Sequence, residues 1–109
     1  MKKVMLLAPE RLCDILRNAL EPKCITLPCS DGGAAKEILL SKPDVLILTL
    51  ALPGESGLTF LKENGARLPP KVIVLTVFYD EEILSQLANW GVSSVIRIPC
   101  KFSYLESKL

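Results

Sequence analysis

The chain has 109 residues, half of them hydrophobic and 23% charged, with a formal net charge of +1. That length builds one core and not two, the apolar content excludes a disordered segment, and the near-neutral charge excludes a global field drawing in nucleic acid or an anionic membrane. The longest apolar stretch, Val45 to Leu52, falls far short of the roughly 20 residues of a bilayer span. The opening Met1-Lys2-Lys3-Val4-Met5-Leu6-Leu7 has the outline of a secretion signal. Pro9, Glu10 and Arg11 interrupt it and no small-residue cleavage site follows, so a cytoplasmic chain is expected.

In chain order, Val4 to Leu7 reads as a first strand. Leu12, Ile15, Leu16 and Leu20 then fall at helical spacing and make one apolar stripe. Cys24 to Leu27 is a second strand. Asp31-Gly32-Gly33 turns into a helix that groups Ala34, Ala35, Ile38 and Leu39 and is ended by Pro43. Val45 to Leu50 is the third strand. A short helix from Gly57 to Glu63 closes on Asn64-Gly65, residues suited to a left-handed cap. Val72 to Thr76 forms the fourth strand. Asp80-Glu81-Glu82 places acids at the start of a helix that runs to Asn89-Trp90-Gly91. Val95 to Ile98 is the last strand, and a final helix starts near Phe102 and reaches Leu109.

Strand runs of this length without alternation suit a parallel sheet covered on both faces. Strands alternating with helices over short links predict a flavodoxin-like three-layer α/β sandwich with strand order 2-1-3-4-5. In that architecture chemistry gathers at the carboxyl ends of the strands. The positions to question are therefore Ala8, Pro9 and Glu10, then Thr49, then Thr76 and Val77, then Ile98 and Pro99.

Few residue types are available for chemistry. There is no histidine, and Cys13, Cys24, Cys29 and Cys100 form no C-x-x-C pair. Zinc binding is not expected, and the cysteines read as small, mostly buried hydrophobes. Asp31-Gly32-Gly33 lacks the spacing of a phosphate-binding loop and reads as a turn and cap. Trp90 reads as packing against the last strand, and Arg97 as reaching solvent at a sheet edge.

Three stretches, KPDVLILTLALPGESGLTFL, KVIVLTVFYDEE and WGVSSVIRIPCKF, resemble the receiver domain of two-component response regulators (the CheY-like domains), and the likeness extends over residues 1–109. They are similar to that domain's third strand with its Leu-Pro-Gly loop, its fourth strand ending in Thr, and its fifth strand ending in proline. The last two stretches resemble in particular the receiver of the master sporulation regulators. In a working receiver, two acids after the first strand and a phosphoacceptor aspartate hold magnesium, while a hydroxyl and a lysine contact the phosphoryl oxygens. The resemblance puts Ala8 and Pro9 at the acid pair, Thr49 at the acceptor, Thr76 at the hydroxyl, and Ile98 at the lysine, before a Pro99 that follows a cis peptide bond. Glu10 is the one acid nearby, at the first turn of a helix. The expectation is a pseudo-receiver with an emptied phosphorylation pocket and no cofactor, metal or enzymatic activity.

The resemblance also implies a signalling face on the fourth helix, fifth strand and fifth helix. Here it comprises Asp80, Glu82, Gln86, Asn89, Ser93, Arg97, Phe102, Tyr104 and Leu105. A protein partner or a homodimer is expected there, with no contact of this domain to nucleic acid or membrane. Phe102 to Leu109 supplies about two helical turns where a covered edge strand wants three or more. A C-terminal transcriptional output domain is what the resemblance implies. Two other readings stay open: a residual phosphoreceiver with a non-standard acceptor, and a small-ligand sensor using the vacated pocket lined by Ala8, Thr49, Thr76, Val77 and Ile98.

Overall fold

Three adjacent strands with almost no polar side chain set the architecture. β1 (Lys3–Leu7), β3 (Val45–Thr49) and β6 (Lys71–Thr76) are buried along nearly their whole length, with only their first lysines, Lys3 and Lys71, partly exposed. Strands apolar on both faces need helices above and below. The computed structural model describes residues 1–52, 55–77 and 80–109, with the side chain of Glu55 outside the description. The expected Pro53-Gly54 turn, Phe78 and Tyr79 lie outside the described residues.

β2 (Ile25–Cys29) and β7 (Ser94–Arg97) complete a five-stranded sheet of order β2-β1-β3-β6-β7, with every pairing parallel. Counted over this sheet alone, the order is the expected 2-1-3-4-5. A two-stranded antiparallel hairpin, β4 (Ala51–Leu52) and β5 (Glu55–Ser56), follows β3 and was not legible as strand.

Alternate residues of each strand feed opposite faces. Val4, Leu6, Val45, Ile47, Ile73 and Leu75 pack under α1 (Glu10–Leu20) and α5 (Phe102–Ser107). Met5, Leu7, Leu46, Leu48, Val72 and Val74 pack under α2 (Gly32–Leu39), α3 (Gly57–Glu63) and α4 (Glu81–Asn89). Phe60 and Leu61 of α3 are fully enclosed in that second cluster. Truncating a buried Phe costs about 3–5 kcal/mol, which makes α3 a main anchor of this face.

The helix starts follow local chemistry. Asp31 accepts from the Ala34 amide at 2.8 Å, Ser56 from the Leu58 amide at 3.1 Å, and Asp80 from the Glu82 amide at 2.8 Å. Each such cap contributes about 1 kcal/mol. Asp31-Gly32-Gly33 is therefore a turn and cap. α1 instead starts behind Pro9 with no side-chain cap.

Several boundaries differ from expectation. β2 extends to Cys29 through Pro28, because Pro28 sits on an edge strand where a missing amide leaves no broken ladder. β7 covers Ser94–Arg97 rather than Val95 to Ile98. α2 ends at Leu39, before Pro43, and Lys42 turns the chain with φ 53°. Asn64 does not form a left-handed cap, having φ −113°. It is buried, its Nδ2 donates to the Phe60 carbonyl at 2.9 Å, and a single 3₁₀ turn, Gly65–Arg67, follows. Ile15, placed by spacing on the apolar stripe of α1, is 59% exposed. Trp90 is half-buried against the α4 face of the sheet beside Val92 and Val95, and Arg97 is exposed on the edge strand, both as expected. Among the described residues, no helix is long and apolar enough to cross a membrane.

Gly57 starts α3 directly against the end of β3. Its amide donates to the Leu50 carbonyl at 2.7 Å, and a Cβ there would lie 2.4 Å from the Thr49 carbonyl oxygen and 2.9 Å from Leu50 Cα. Backbone atoms cannot step aside cheaply. Gly57→Ala is expected to destabilise the fold by about 3 kcal/mol in urea unfolding. Gly65→Ala, where a Cβ meets nothing within 4 Å, is expected to stay within about 0.5 kcal/mol.

Candidate functional site

The carboxyl ends of β1, β3, β6 and β7 converge on one shallow cavity of about 200 Å³. Its wall includes Pro9, Leu12, Thr49, Leu50, Thr76, Val77 and Ile98. Of the residues expected at the strand ends, Pro9, Thr49, Thr76, Val77 and Ile98 come together here. Ala8 does not line the cavity: it is fully buried and its amide donates to the Cys29 carbonyl at 3.2 Å. Glu10 and Pro99 are exposed and stand outside the lining. The Ile98–Pro99 peptide is cis, as the resemblance implied, and so is Glu21–Pro22.

Thr49 is 7% exposed, and its hydroxyl donates to the Ala51 carbonyl at 3.2 Å. That bond ties the end of β3 to the start of the hairpin, the usual work of a β-branched hydroxyl at a strand end. Thr76 is buried beside it. The wall therefore presents two hydroxyls and otherwise hydrocarbon. Among the described residues, no group of three or more His, Cys, Asp or Glu side chains is placed to hold a metal ion.

A larger cavity lies alongside and was missed by sequence reasoning. It measures about 420 Å³ and opens between α1 and α5, with Leu16, Leu75 and Leu105 in its floor and Ile15, Val77 and Cys100 among its walls. The signal available in the sequence was the apolar character of Ile15 and Val77 at positions that the fold leaves exposed.

The expected signalling face flanks the edge strand β7. Asp80, Glu82, Gln86, Asn89, Ser93, Arg97 and Tyr104 are all exposed, and Phe102 is half-buried against the core. Ser93 also holds the sheet together, since its amide donates to the Val72 carbonyl at 2.8 Å and its hydroxyl accepts from the Val72 amide at 3.1 Å. Leu105 departs from expectation. At 2% exposure it is a core residue, because α5 turns that side inward to cover the edge of the sheet.

The cysteines divide. Cys13 and Cys29 are buried, Cys24 is half-buried and Cys100 is exposed. Burial, reinforced by the neighbouring Cys13 and by Asp31, pushes the Cys29 thiol up to about 12. Burial also raises the Cys13 thiol, partly offset by backbone hydrogen bonding at Ala8 and Cys29.

No family model matches the chain. It is 34% identical over 85 residues to the oxygen regulatory protein NreC of Staphylococcus haemolyticus, covering 75% of this chain and 39% of that protein. It is 35% identical over 75 residues to NreC of Staphylococcus aureus strain JH9, covering 66% and 35%. The chain thus spans about two fifths of the length of the curated relatives it matches. A two-component response regulator from Clostridium difficile superposes with a TM-score of 0.90 at 20% identity, covering 99% of this chain and 92% of that one. The response regulator TrrA of Thermotoga maritima, solved with Mg²⁺-BeF, superposes at 0.82 with 24% identity, covering 99% and 96%. The fold is that of a CheY-like receiver domain, and the sequence likeness to response regulators agrees with it: this chain is a receiver-type domain of the two-component class.

The thiols give a measurable consequence. A buried acid whose folded pKa is raised stabilises the fold below its unfolded value, near 9.0, and that stability is lost as pH rises towards about 12. Unfolding free energy is expected to fall above about pH 9, and Cys29→Ala is expected to flatten that part of the profile.

Proposed function

We propose that this domain is a pseudo-receiver: a phosphorylation-independent protein-interaction module that signals through the α4–β7–α5 face. The observation that carries the reading is the hydroxyl of Thr49, engaged with the Ala51 carbonyl, at the strand end where a receiver needs a carboxylate.

Magnesium requires an octahedron of hard oxygens, commonly one or two carboxylates with waters. Ala8 and Pro9 bring no side-chain oxygen, Thr49 brings a neutral one, and Glu10 stands outside the cavity. Phosphoryl transfer is carried by positioning and charge neutralisation. Ile98 supplies no cation, so charge developing at Thr49 would meet mostly hydrocarbon. A threonine hydroxyl is also a poor nucleophile without an adjacent base, and no histidine exists in the chain to serve as one. The same deficits disfavour any catalytic role of its own.

The fold nevertheless keeps the strand ends, the cis Ile98–Pro99 bond and an exposed mixed-charge surface around β7. That surface joins acids at the start of α4 to Arg97 on the edge strand and Tyr104 on α5. Self-complementary charge of this kind suits docking to a second copy or to another protein, with charges setting orientation more than affinity. The reading extends to a cytoplasmic regulator whose remaining length carries a transcriptional output domain, a role drawn from the response-regulator relatives.

Incubation with acetyl phosphate and Mg²⁺, read by intact mass, is expected to add no phosphoryl group, and Mg²⁺ with beryllofluoride is expected to leave the melting temperature unchanged. A phosphoryl adduct would overturn the reading in favour of a residual phosphoreceiver with a non-standard acceptor. Thr49→Asp alone is expected to restore neither response, since the acid pair and the lysine remain absent. For the face, Arg97→Glu is expected to weaken self-association or partner capture by about tenfold, a loss of roughly 1.4 kcal/mol, with the urea midpoint unchanged. A sedimentation series at fixed ionic strength reads that change.

A further inference from the structure

The two cavities at the carboxyl end of the sheet adjoin, with Leu12, Leu75, Val77 and Ile98 lining both the cleft between α1 and α5 and the space over Thr49, and the pair is called the trough below. We propose that this trough binds a neutral aliphatic small molecule of medium chain length, its hydrocarbon part in the α1–α5 cleft and an alcohol-like end over Thr49. The alcohol end shares the cavity over Thr49 with the receiver-type site, so this proposal rests on the pseudo-receiver reading.

The cleft has the size for such a ligand. Its volume of about 420 Å³ lies within the 300–1,000 Å³ typical of small-molecule sites. At about 30 Å³ per water-sized group, that space holds on the order of a dozen methylenes. It also has the depth. The floor residues Leu16, Leu75 and Leu105 are 5%, 3% and 2% exposed, whereas Ile15 and Val77 at the mouth are 59% and 58% exposed. A wall that descends from solvent to the sheet encloses a chain; a flat protein face would leave the bottom empty.

The lining sets the polarity of the occupant. None of the residues lining either cavity is ionisable apart from the Cys100 thiol, in a chain that is 23% charged. A carboxylate or ammonium head would lose its water with no partner to replace it, so fatty acids and alkylamines are disfavoured. The Thr49 oxygen, which donates its own proton to the Ala51 carbonyl, keeps lone pairs that accept a hydrogen bond from an alcohol.

Cys100 reports on the trough without perturbing it, since it is exposed and lines the cleft, while Cys24 lies outside both cavities. The probe is 1-decanol below its solubility limit, with decanoate as the charged control. Alkylation by iodoacetamide is followed by peptide mass. At twice the dissociation constant, Cys100 alkylation is expected to slow about threefold by occupancy, with Cys24 unchanged and decanoate much weaker. Val77→Trp, which fills the mouth from an exposed position, is expected to remove the protection by decanol. Three results overturn the proposal. One is an unchanged Cys100 rate up to the solubility limit. The second is protection that survives Val77→Trp or is equalled by decanoate. The third is protection that grows with protein concentration in the absence of decanol, which makes the occupant a second copy of the chain. None of these readouts depends on Mg²⁺ or acetyl phosphate, so failure here is distinguishable from failure of the pseudo-receiver reading.

Discussion

The two-sided burial of β1, β3 and β6 governs the rest of the molecule. Once three neighbouring strands carry apolar side chains on both faces, each face must be roofed by helices, and short links leave parallel strands as the way to arrange that. The roof is divided between α1 and α5 on one side and α2, α3 and α4 on the other. Every strand then ends at the same edge of the sheet. The cavity over Thr49 is formed by this packing of strand ends.

At these strand ends the chain places Ala8, Pro9, Thr49 and Ile98. Ala8 has joined the core outright, its amide paired with the Cys29 carbonyl. Thr49 ties a strand to the following hairpin. The cavity over Thr49 is lined mostly by hydrocarbon, and so is the adjoining space between α1 and α5.

The edge strand β7 sits at the opposite extreme. Only Ile96 of its residues is fully buried, and Arg97 faces solvent. A parallel edge with a charged side chain discourages uncontrolled strand pairing while leaving the flanking helices free to dock. Ser93 holds the entry to this strand through two hydrogen bonds to Val72, so part of the exposed face is rigidly mounted on the neighbouring strand. Among the described residues, the exposed side chains of α4 show no such tie to the sheet.

Residue order alone determined the class of fold, the order of the main-sheet strands and the identity of the groups at the strand ends. These follow from apolar runs, helical spacing and capping residues, all of which are local patterns with a known period. Tertiary structure decided the rest. Whether Ile15 and Leu105 point outward or inward depends on how two helices share one face of the sheet, and spacing along either helix cannot say. The extension of β2 through Pro28 was settled by its edge position, and the buried Asn64 by the fit of α3 against the core. The α1–α5 cleft belongs to neither helix. It arises where two convex surfaces fail to meet, a property of distance in space that no linear pattern encodes.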